Sequence, residues 1–308
     1  MSLRLLFAGT PAFAVPALRG LIDSGQAPQV VLTQPDRAAG RGRQLRLGPV
    51  KQLAVAAGIS VLQPERLNQP ELPALLRDLH PDLLITAAYG LILPRWLLSL
   101  PRYGCWNLHA SLLPRWRGAS PINQAILHGD AETGISLMQM EAGLDTGPVL
   151  AQVATPIGAE EHAGQLHDRL APMAAELLLG ALRELAGGKP PAAEPQRDEL
   201  ATHAPLIVRA DAMLDWQQPA DALVRQVRAF NPWPVAFTRL EEIELRIFRA
   251  RVGPSADVPP GRLVHGHGRQ DAVVVACGEG SLEILELQAP GRRRVAAADW
   301  LNAHPDWR

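Results

Sequence analysis

Apolar residues in the first half of the chain come in short unbroken runs, separated by stretches of helical spacing. LRLLFAG (3–9) reads as a buried strand that breaks at Gly9-Thr10-Pro11 and gives way to a helix reaching about Ile22. QVVLTQ (29–34) is a second strand and 50–57 a helix, followed by a third strand near 59–62. A helix at 70–79, a strand at DLLITAAY (82–89), and strands at GCWNLHAS (104–111) and ISLMQM (135–140) continue the alternation. A long helix from about Glu160 to Leu185 stops at Gly187-Gly188, where glycine suits a helix end.

Wholly apolar strands between helices predict a parallel sheet covered on both faces. KPPAAEPQRDELATHAP (189–205) is proline-rich and polar, and reads as a linker. Beyond it the period changes. One helix (219–230) precedes short alternating runs, AFTRL, LRIFRA, GRLVHG, AVVVACG and LEILELQ, with glycine and proline between them. That pattern predicts a small antiparallel barrel. The expected architecture is therefore α/β: a Rossmann-like, mostly parallel sheet in residues 1–188, a linker at 189–205, and a C-terminal OB-like β-barrel in 206–308.

Composition narrows the picture. With 308 residues and 47% apolar content, two domains with their own cores are expected. The 30 basic and 31 acidic residues balance, so any nucleic-acid contact must come from local patches. Residues 206–308 alone carry thirteen arginines against thirteen acidic residues, which demands a segregated face there too. Cys105 and Cys277 have no disulfide or metal spacing, and a reducing cytoplasm is the expectation. The N-terminus lacks the apolar run of about 7–15 residues that marks a secretory signal, and no run of about 20 apolar residues predicts a membrane span.

Asn107, His109 and Ser111 occupy alternate positions, so a strand would point all three to one face. The strand runs out at Ser111-Leu112-Leu113-Pro114, and open α/β sheets bind ligands at such carboxyl ends. Asp145 stands in a turn between Gly143-Leu144 and Thr146-Gly147. These types suit acyl transfer to an amine. A histidine relays a proton near neutrality, and an asparagine amide donates to a developing oxyanion, an effect worth roughly 3–4 kcal/mol. An aspartate orients the imidazole or anchors a water. Taken singly, each residue more often has a structural role: a hydrogen-bonding strand histidine, or turn residues that shape backbone. The three match no standard metal site or serine triad.

The run GCWNLHASLLPRWRGASPINQAILHGDAETGISLMQMEAGLDTGPVL resembles the formyltransferase family that uses 10-formyltetrahydrofolate. Its pattern, Asn-x-His, then Ser-Leu-Leu-Pro, then Leu-Asp-Thr-Gly, occurs here as 107–109, 111–114 and 144–147. The resemblance implies that Asn107, His109 and Asp145 are catalytic and that Ser111, Leu112, Leu113 and Pro114 contact the folate. AAYGLILP (87–94), with Tyr89 and Gly90, resembles a segment lining the folate pocket, although a strand end packed on the core explains it equally well. No metal is implied.

Features outside that run indicate the acceptor. FAGTPAFA (7–14) and TQPDRAAGRGRQLRLGPVK (33–51) resemble the members that formylate methionine on initiator tRNA. From Arg37 to Lys51 there are five basic residues and no acidic one, among them Arg41, Arg43 and Arg46. A mobile basic loop of this kind follows a phosphate backbone. The resemblance implies that it engages the acceptor arm, with Arg41 closest because Gly40 and Gly42 flank it. RAFNPWP (228–234) resembles the tRNA-supporting domain, where Arg292 and Arg293 are candidate phosphate contacts beside Arg294. Around Ala204-Pro205 a lysine usual in the family is missing, and Arg209 is the available substitute. The expected reaction moves a formyl group from 10-formyltetrahydrofolate to the α-amino group of initiator methionyl-tRNA, by a monomer in the cytoplasm with no membrane partner.

Three rival readings are weighed against it. A sugar-nucleotide or small-amine formyltransferase needs neither the basic insertion nor the barrel. An RNA-binding protein without catalysis predicts damage among Asn107, His109 and Asp145, which are intact. A nicotinamide-dependent dehydrogenase requires G-x-G-x-x-G after the first strand, where this chain has AGTPAFA.

Overall fold

The computed structural model describes residues 3–39, 44–266 and 270–307. In chain order the first elements are β1 (Leu5–Gly9), α1 (Val15–Asp23), β2 (Val30–Leu32), β3 (Arg37–Ala39), β4 (Gln44–Arg46), α2 (Pro49–Ala56), β5 (Ser60–Leu62) and α3 (Leu72–Asp78). There follow β6 (Leu83–Ala87), α4 (Arg95–Leu98), β7 (Cys105–His109), β8 (Arg117–Gly118), α5 (Pro121–Leu127), β9 (Glu132–Gln139), β10 (Val149–Pro156), α6 (Ala163–Ala186) and β11 (His203–Ala204). The chain folds as two compact units. One comprises Met1–Gly118, Thr133–Thr155 and His167–Ala204; the other comprises Ala119–Glu132, Pro156–Leu166 and Pro205–Arg308.

The first unit is built on a seven-stranded sheet of order β10-β9-β7-β6-β1-β2-β5. β5, β2, β1, β6 and β7 run parallel, and β9 pairs antiparallel with β7. The five residues of β1 and of β6 are all buried, as wholly apolar strands require when both sheet faces are covered. One face packs Leu6, Ala8, Leu32, Leu84 and Cys105 against Leu72 and Leu76 of α3 and Leu97 of α4. Alternate residues Leu5, Phe7, Leu83 and Ile85 are buried on the other face. On α6, Leu170, Ala174, Leu178 and Leu182 form a buried stripe at helical spacing. α1 approaches that helix closely at Gly20, where an added Cβ would stand 3.0 Å from Leu179.

From β1 the chain steps outward through β2 to β5, then returns to β6 on the opposite side. The carboxyl ends of β1 and β6 thus flank the point where strand order reverses, with β7 beside them. At the amino ends, Asp82 accepts from Arg4 three times: backbone N–H at 2.9 Å, Nε at 3.1 Å and a terminal nitrogen at 3.0 Å.

In the second unit come α7 (Ala220–Ala229), β12 (Ala236–Leu240), β13 (Ile243–Gly253), β14 (Val273–Ala276), β15 (Ser281–Gln288), β16 (Val295–Ala296) and α8 (Ala297–Ala303). The sheet runs β12-β13-β15-β14 with β16 on β15, all antiparallel. Register shifts between Ile247 and Ala250 bend β13, and the sheet curls as a half-barrel. Its inner face buries Leu245, Ile247, Leu282 and Ile284 with Leu223 and Val227 of α7 and Trp300 and Leu301 of α8. α5 is tied to α7 by Asn123 Nδ2, which donates to the Ala229 carbonyl at 2.6 Å. β10 and α5 were not anticipated, because VLAQVATP follows a turn-like stretch and PINQAIL is a short helix without a capping side chain.

Arg4, by hydrogen bonding, holds the Asp82 carboxyl below the usual carboxylate range. A lowered folded-state value means the pair contributes stability above the unfolded carboxyl's pKa and loses it as pH falls through the folded value. Asp82→Asn is expected to lower the melting temperature at pH 7 by a few degrees, with the difference from wild type shrinking at pH 3. Burial raises the Cys105 thiol to about 12 and the Cys277 thiol to about 11. Neither is expected to react with a disulfide reagent at pH 8 until the protein is unfolded; a fast native phase in absorbance would refute that.

Candidate active site

β7 carries Asn107 and His109 outward on the face that begins at Cys105, and the neighbouring β6 places Thr86 opposite Asn107. Thr86 Oγ1 has the amide oxygen of Asn107 at 2.8 Å, nearer than the Trp106 carbonyl and Met140 Sδ, both at 3.2 Å. With its oxygen accepting from this buried hydroxyl, the amide directs its two N–H groups away from β6.

His109 is 5% exposed. Its Nε2 lies 2.8 Å from the Trp116 carbonyl. A carbonyl only accepts, so Nε2 carries the hydrogen of that bond. Nδ1 faces Asp145 Oδ2 at 3.6 Å, beyond a direct hydrogen bond. That carboxylate oxygen accepts from the Gly118 backbone N–H at 2.9 Å. Asp145 adopts the left-handed conformation, φ 52°, which aspartate tolerates better than most residues. The closing glycine of its turn has a steric cause, since a Cβ on Gly147 would fall 1.9 Å from the Gln139 carbonyl oxygen.

The Ser111–Pro114 segment is held from within. Ser111 Oγ donates to the Arg115 carbonyl at 2.6 Å, and the Ser111 carbonyl accepts from Ser136 Oγ at 2.6 Å. Ser136 Oγ also accepts from the Leu113 N–H at 3.0 Å, and Gln152 Nε2 donates both to it at 2.8 Å and to the Leu113 carbonyl at 3.0 Å. The Ser111 hydroxyl and the Leu113 side chain are buried, while Leu112 and Pro114 are half-buried.

After β6 the backbone turns through left-handed Ala88 and Gly90, φ 46° and 82°. The Tyr89 carbonyl between them accepts from Thr10 Oγ1 and Gln34 Nε2, each at 3.1 Å, which ties together the loops after β1, β2 and β6. The Tyr89 ring is buried, and burial pushes its phenol up to about 12. Gly90 and Ile92 are exposed on this loop, and Leu144 is exposed beside Asp145.

The basic insertion is a hairpin in its described part, β3 against β4, where a loop was expected. Arg41 and Arg43 lie outside the described residues, and only the backbone of Arg37 is described. Arg46 is exposed. Lys51, counted among the basic residues of the insertion, is instead committed: it pairs with Asp36 and donates to Gln63 Oε1 at 2.6 Å. Gln63 in turn donates to the Gln34 carbonyl at 2.9 Å, so the hairpin base is joined to the loop network around Tyr89. In the second unit Arg292 and Arg293 are exposed on a turn, whereas Arg294 pairs with Glu286 and lies over the Phe248 ring at 4.4 Å. Arg209 pairs with Glu244 at 3.3 Å and covers the Phe237 ring at 5.5 Å. Trp233 is exposed.

Several supporting residues carry no sequence signal. Thr86, Ser136 and Gln152 sit inside ordinary strands, and Gln196 lies in the proline-rich stretch. Their roles depend on which strands become neighbours. Among the described residues no three His, Cys, Asp or Glu side chains converge, and no helix is long and apolar enough to cross a membrane.

Comparison with known proteins gives the family. A family model for formyl transferases matches residues 3–182, and one for the formyl transferase C-terminal domain matches 206–305. The methionyl-tRNA formyltransferase of Methylococcus capsulatus is 52% identical over 303 residues, covering 98% of this chain and 97% of that protein. That of Xanthomonas euvesicatoria pv. vesicatoria is 52% identical over 305 residues, covering 99% and 98%. The crystal structure of HypX from Aquifex aeolicus in complex with tetrahydrofolic acid superposes with a TM-score of 0.64 at 18% identity, a likeness of fold. The match takes in 98% of this chain, which spans about half of that one, 47%. On both matched regions and on relatives sharing half its residues over their full length, the chain belongs to the formyl transferase family and, within it, to the methionyl-tRNA formyltransferases.

Proposed function

We propose that Asn107, His109 and Asp145 carry the formyl transfer from 10-formyltetrahydrofolate to the α-amino group of methionine on initiator tRNA, the reaction of this family. The observation that carries the reading is the Asn107 amide, its oxygen accepting from Thr86 and its N–H groups turned outward, on the same strand face as His109. In the reaction the amine nitrogen bonds to the formyl carbon, the bond from that carbon to the folate N10 breaks, the amine loses a proton and N10 gains one. Asn107 Nδ2 donates to the formyl oxygen as it becomes negative. His109 exchanges its proton at Nδ1, because Nε2 is held by the Trp116 carbonyl. Asp145, fixed by the Gly118 N–H, faces that nitrogen and stabilises the imidazolium, directly or through a bridging water.

The donor is a co-substrate with flat ring systems and one formyl carbon. The loop after β6 and the turn between β9 and β10 fit it: exposed Ile92 on the first and Leu144 on the second offer apolar surface, and Gly90 carries no side chain. Ser111 to Pro114 serve this pocket mainly through a rigid backbone, since the Ser111 hydroxyl and the Leu113 side chain are spent internally. On the tRNA side, the hairpin with Arg37, Arg41, Arg43 and Arg46 follows the acceptor arm, and Arg292 and Arg293 touch phosphate. Two buried free thiols suit a reducing compartment, which supports a cytoplasmic enzyme; we take it to act as a monomer.

The first test is formyl transfer to methionyl-initiator tRNA, with uncharged tRNA and free methionine as controls; product on either control would count against the tRNA reading. Asn107→Ala is expected to lower kcat by about 100- to 1,000-fold with little change in folate affinity, and unchanged turnover would remove Asn107 from the mechanism. Thr86→Val, which keeps shape but frees the amide to rotate, should lower kcat less, with Thr86→Ser restoring it. Arg41→Ala should raise KM for the tRNA while leaving that for the folate alone; the reverse pattern would mean that the hairpin serves the donor instead.

A further inference from the structure

Residues 196–202 are bonded to the catalytic turn and to the segment 114–117, whose Trp116 carbonyl holds the histidine ring. Gln196 commits its whole amide there. Nε2 donates to the carbonyls of Asp145 at 2.8 Å and Gly147 at 2.7 Å, and Oε1 accepts from Arg117 Nε at 3.0 Å. Arg117 is buried and pairs outward with Asp198 at 2.8 Å. Thr202 grips the adjoining strand. Its Oγ1 accepts from the Trp116 N–H at 2.9 Å, its carbonyl accepts from the Arg117 N–H at 2.9 Å, and its own N–H donates to the Pro114 carbonyl at 3.3 Å. β11 then pairs with β8.

The residues gripped are those that aim the catalytic groups. The Trp116 carbonyl sets the His109 ring, and the Gly118 N–H sets the Asp145 carboxylate. Asp145 itself keeps a left-handed backbone that side-chain-bearing residues seldom adopt, with its carbonyl held by Gln196. We infer that Gln196 and Thr202 are positioning residues for formyl transfer, together setting the separation and angle between His109 Nδ1 and Asp145 across their 3.6 Å gap. The inference rests on the catalytic assignment of Asp145 and His109. Both residues lie outside the motifs by which the family is recognised. Neither touches the space in front of Nδ1, so each acts on the rate through geometry alone.

The test is a double-mutant cycle on the full-length enzyme, using Gln196→Met, which keeps side-chain length but removes both donors and the acceptor, with Asp145→Asn. Gln196→Met should lower kcat for methionyl-tRNA about 10- to 100-fold, with KM for both substrates within about threefold and the protein still folded, its melting temperature lower by a few degrees at most. In the Asp145→Asn background the same substitution should have almost no further effect. Thr202→Val should lower kcat and displace its pH profile through the histidine's acceptor, and Thr202→Ser should restore both. Wild-type kcat in Gln196→Met, or an equal fold-loss in both backgrounds, overturns the inference while leaving the catalytic reading intact. Full activity in Asp145→Asn overturns the catalytic reading itself, and the inference with it.

Discussion

The hydrogen bond between His109 Nε2 and the Trp116 carbonyl, 2.8 Å long, decides which nitrogen of the ring faces Asp145. A carbonyl has no proton to give, so Nε2 carries the hydrogen of this bond and Nδ1 is the nitrogen turned to the carboxylate. The rest of the site is arranged around that choice. Asp145 stands on the Nδ1 side, its carboxylate fixed by a backbone N–H one β-bridge away from the segment that fixes Trp116. Reversing the ring would leave a buried carbonyl unpaired and the carboxylate facing the wrong nitrogen, a penalty of order 1–3 kcal/mol for the lost partner alone.

Such geometry needs a stiff mount, and the sheet supplies one. Parallel strands bring the ends of β1, β6 and β7 together, with every residue of β1 and β6 buried and only Asn107 of β7 half-buried. Several of the polar groups buried there satisfy one another, while the Tyr89 and Thr33 hydroxyls are buried without a hydrogen-bond partner. Ser136 serves three partners, Gln152 two, and Thr86 links strand to strand. Networks of this kind hold position better than apolar contacts because each missing bond costs a full desolvation. The loops beyond carry the variable work, and their bases are tied back to the same frame through Gln34 and Gln63.

Local balance of charge also gains meaning from placement. Lys51 and Arg294 count as cations in the sequence, yet each is paired inside its own unit. Arg46, Arg292 and Arg293 are exposed instead. In a near-neutral chain it is the local placement of cations, not the net charge, that sets where positive charge is presented.

Read alone, the sequence determined the parallel core, the curled antiparallel second half and the three motifs. Apolar runs of strand length between amphipathic helices have few other solutions, and Asn-x-His on a strand puts both side chains on one face whatever the neighbours. It also determined glycine at 147, although the carbonyl that forbids a side chain there appears only in the fold. Tertiary structure alone decided that Thr86 turns the Asn107 amide, that Trp116 holds the imidazole ring, and that the proline-rich stretch is clamped by Gln196 to the Asp145 turn and by Thr202 to the Trp116 segment. Those partners are 21, 7, 51 and 86 residues apart along the chain, in the order named. Sequence periodicity reports which face of its own element a residue takes; a hydrogen-bond partner on another element is set only when the strands take their order in the sheet.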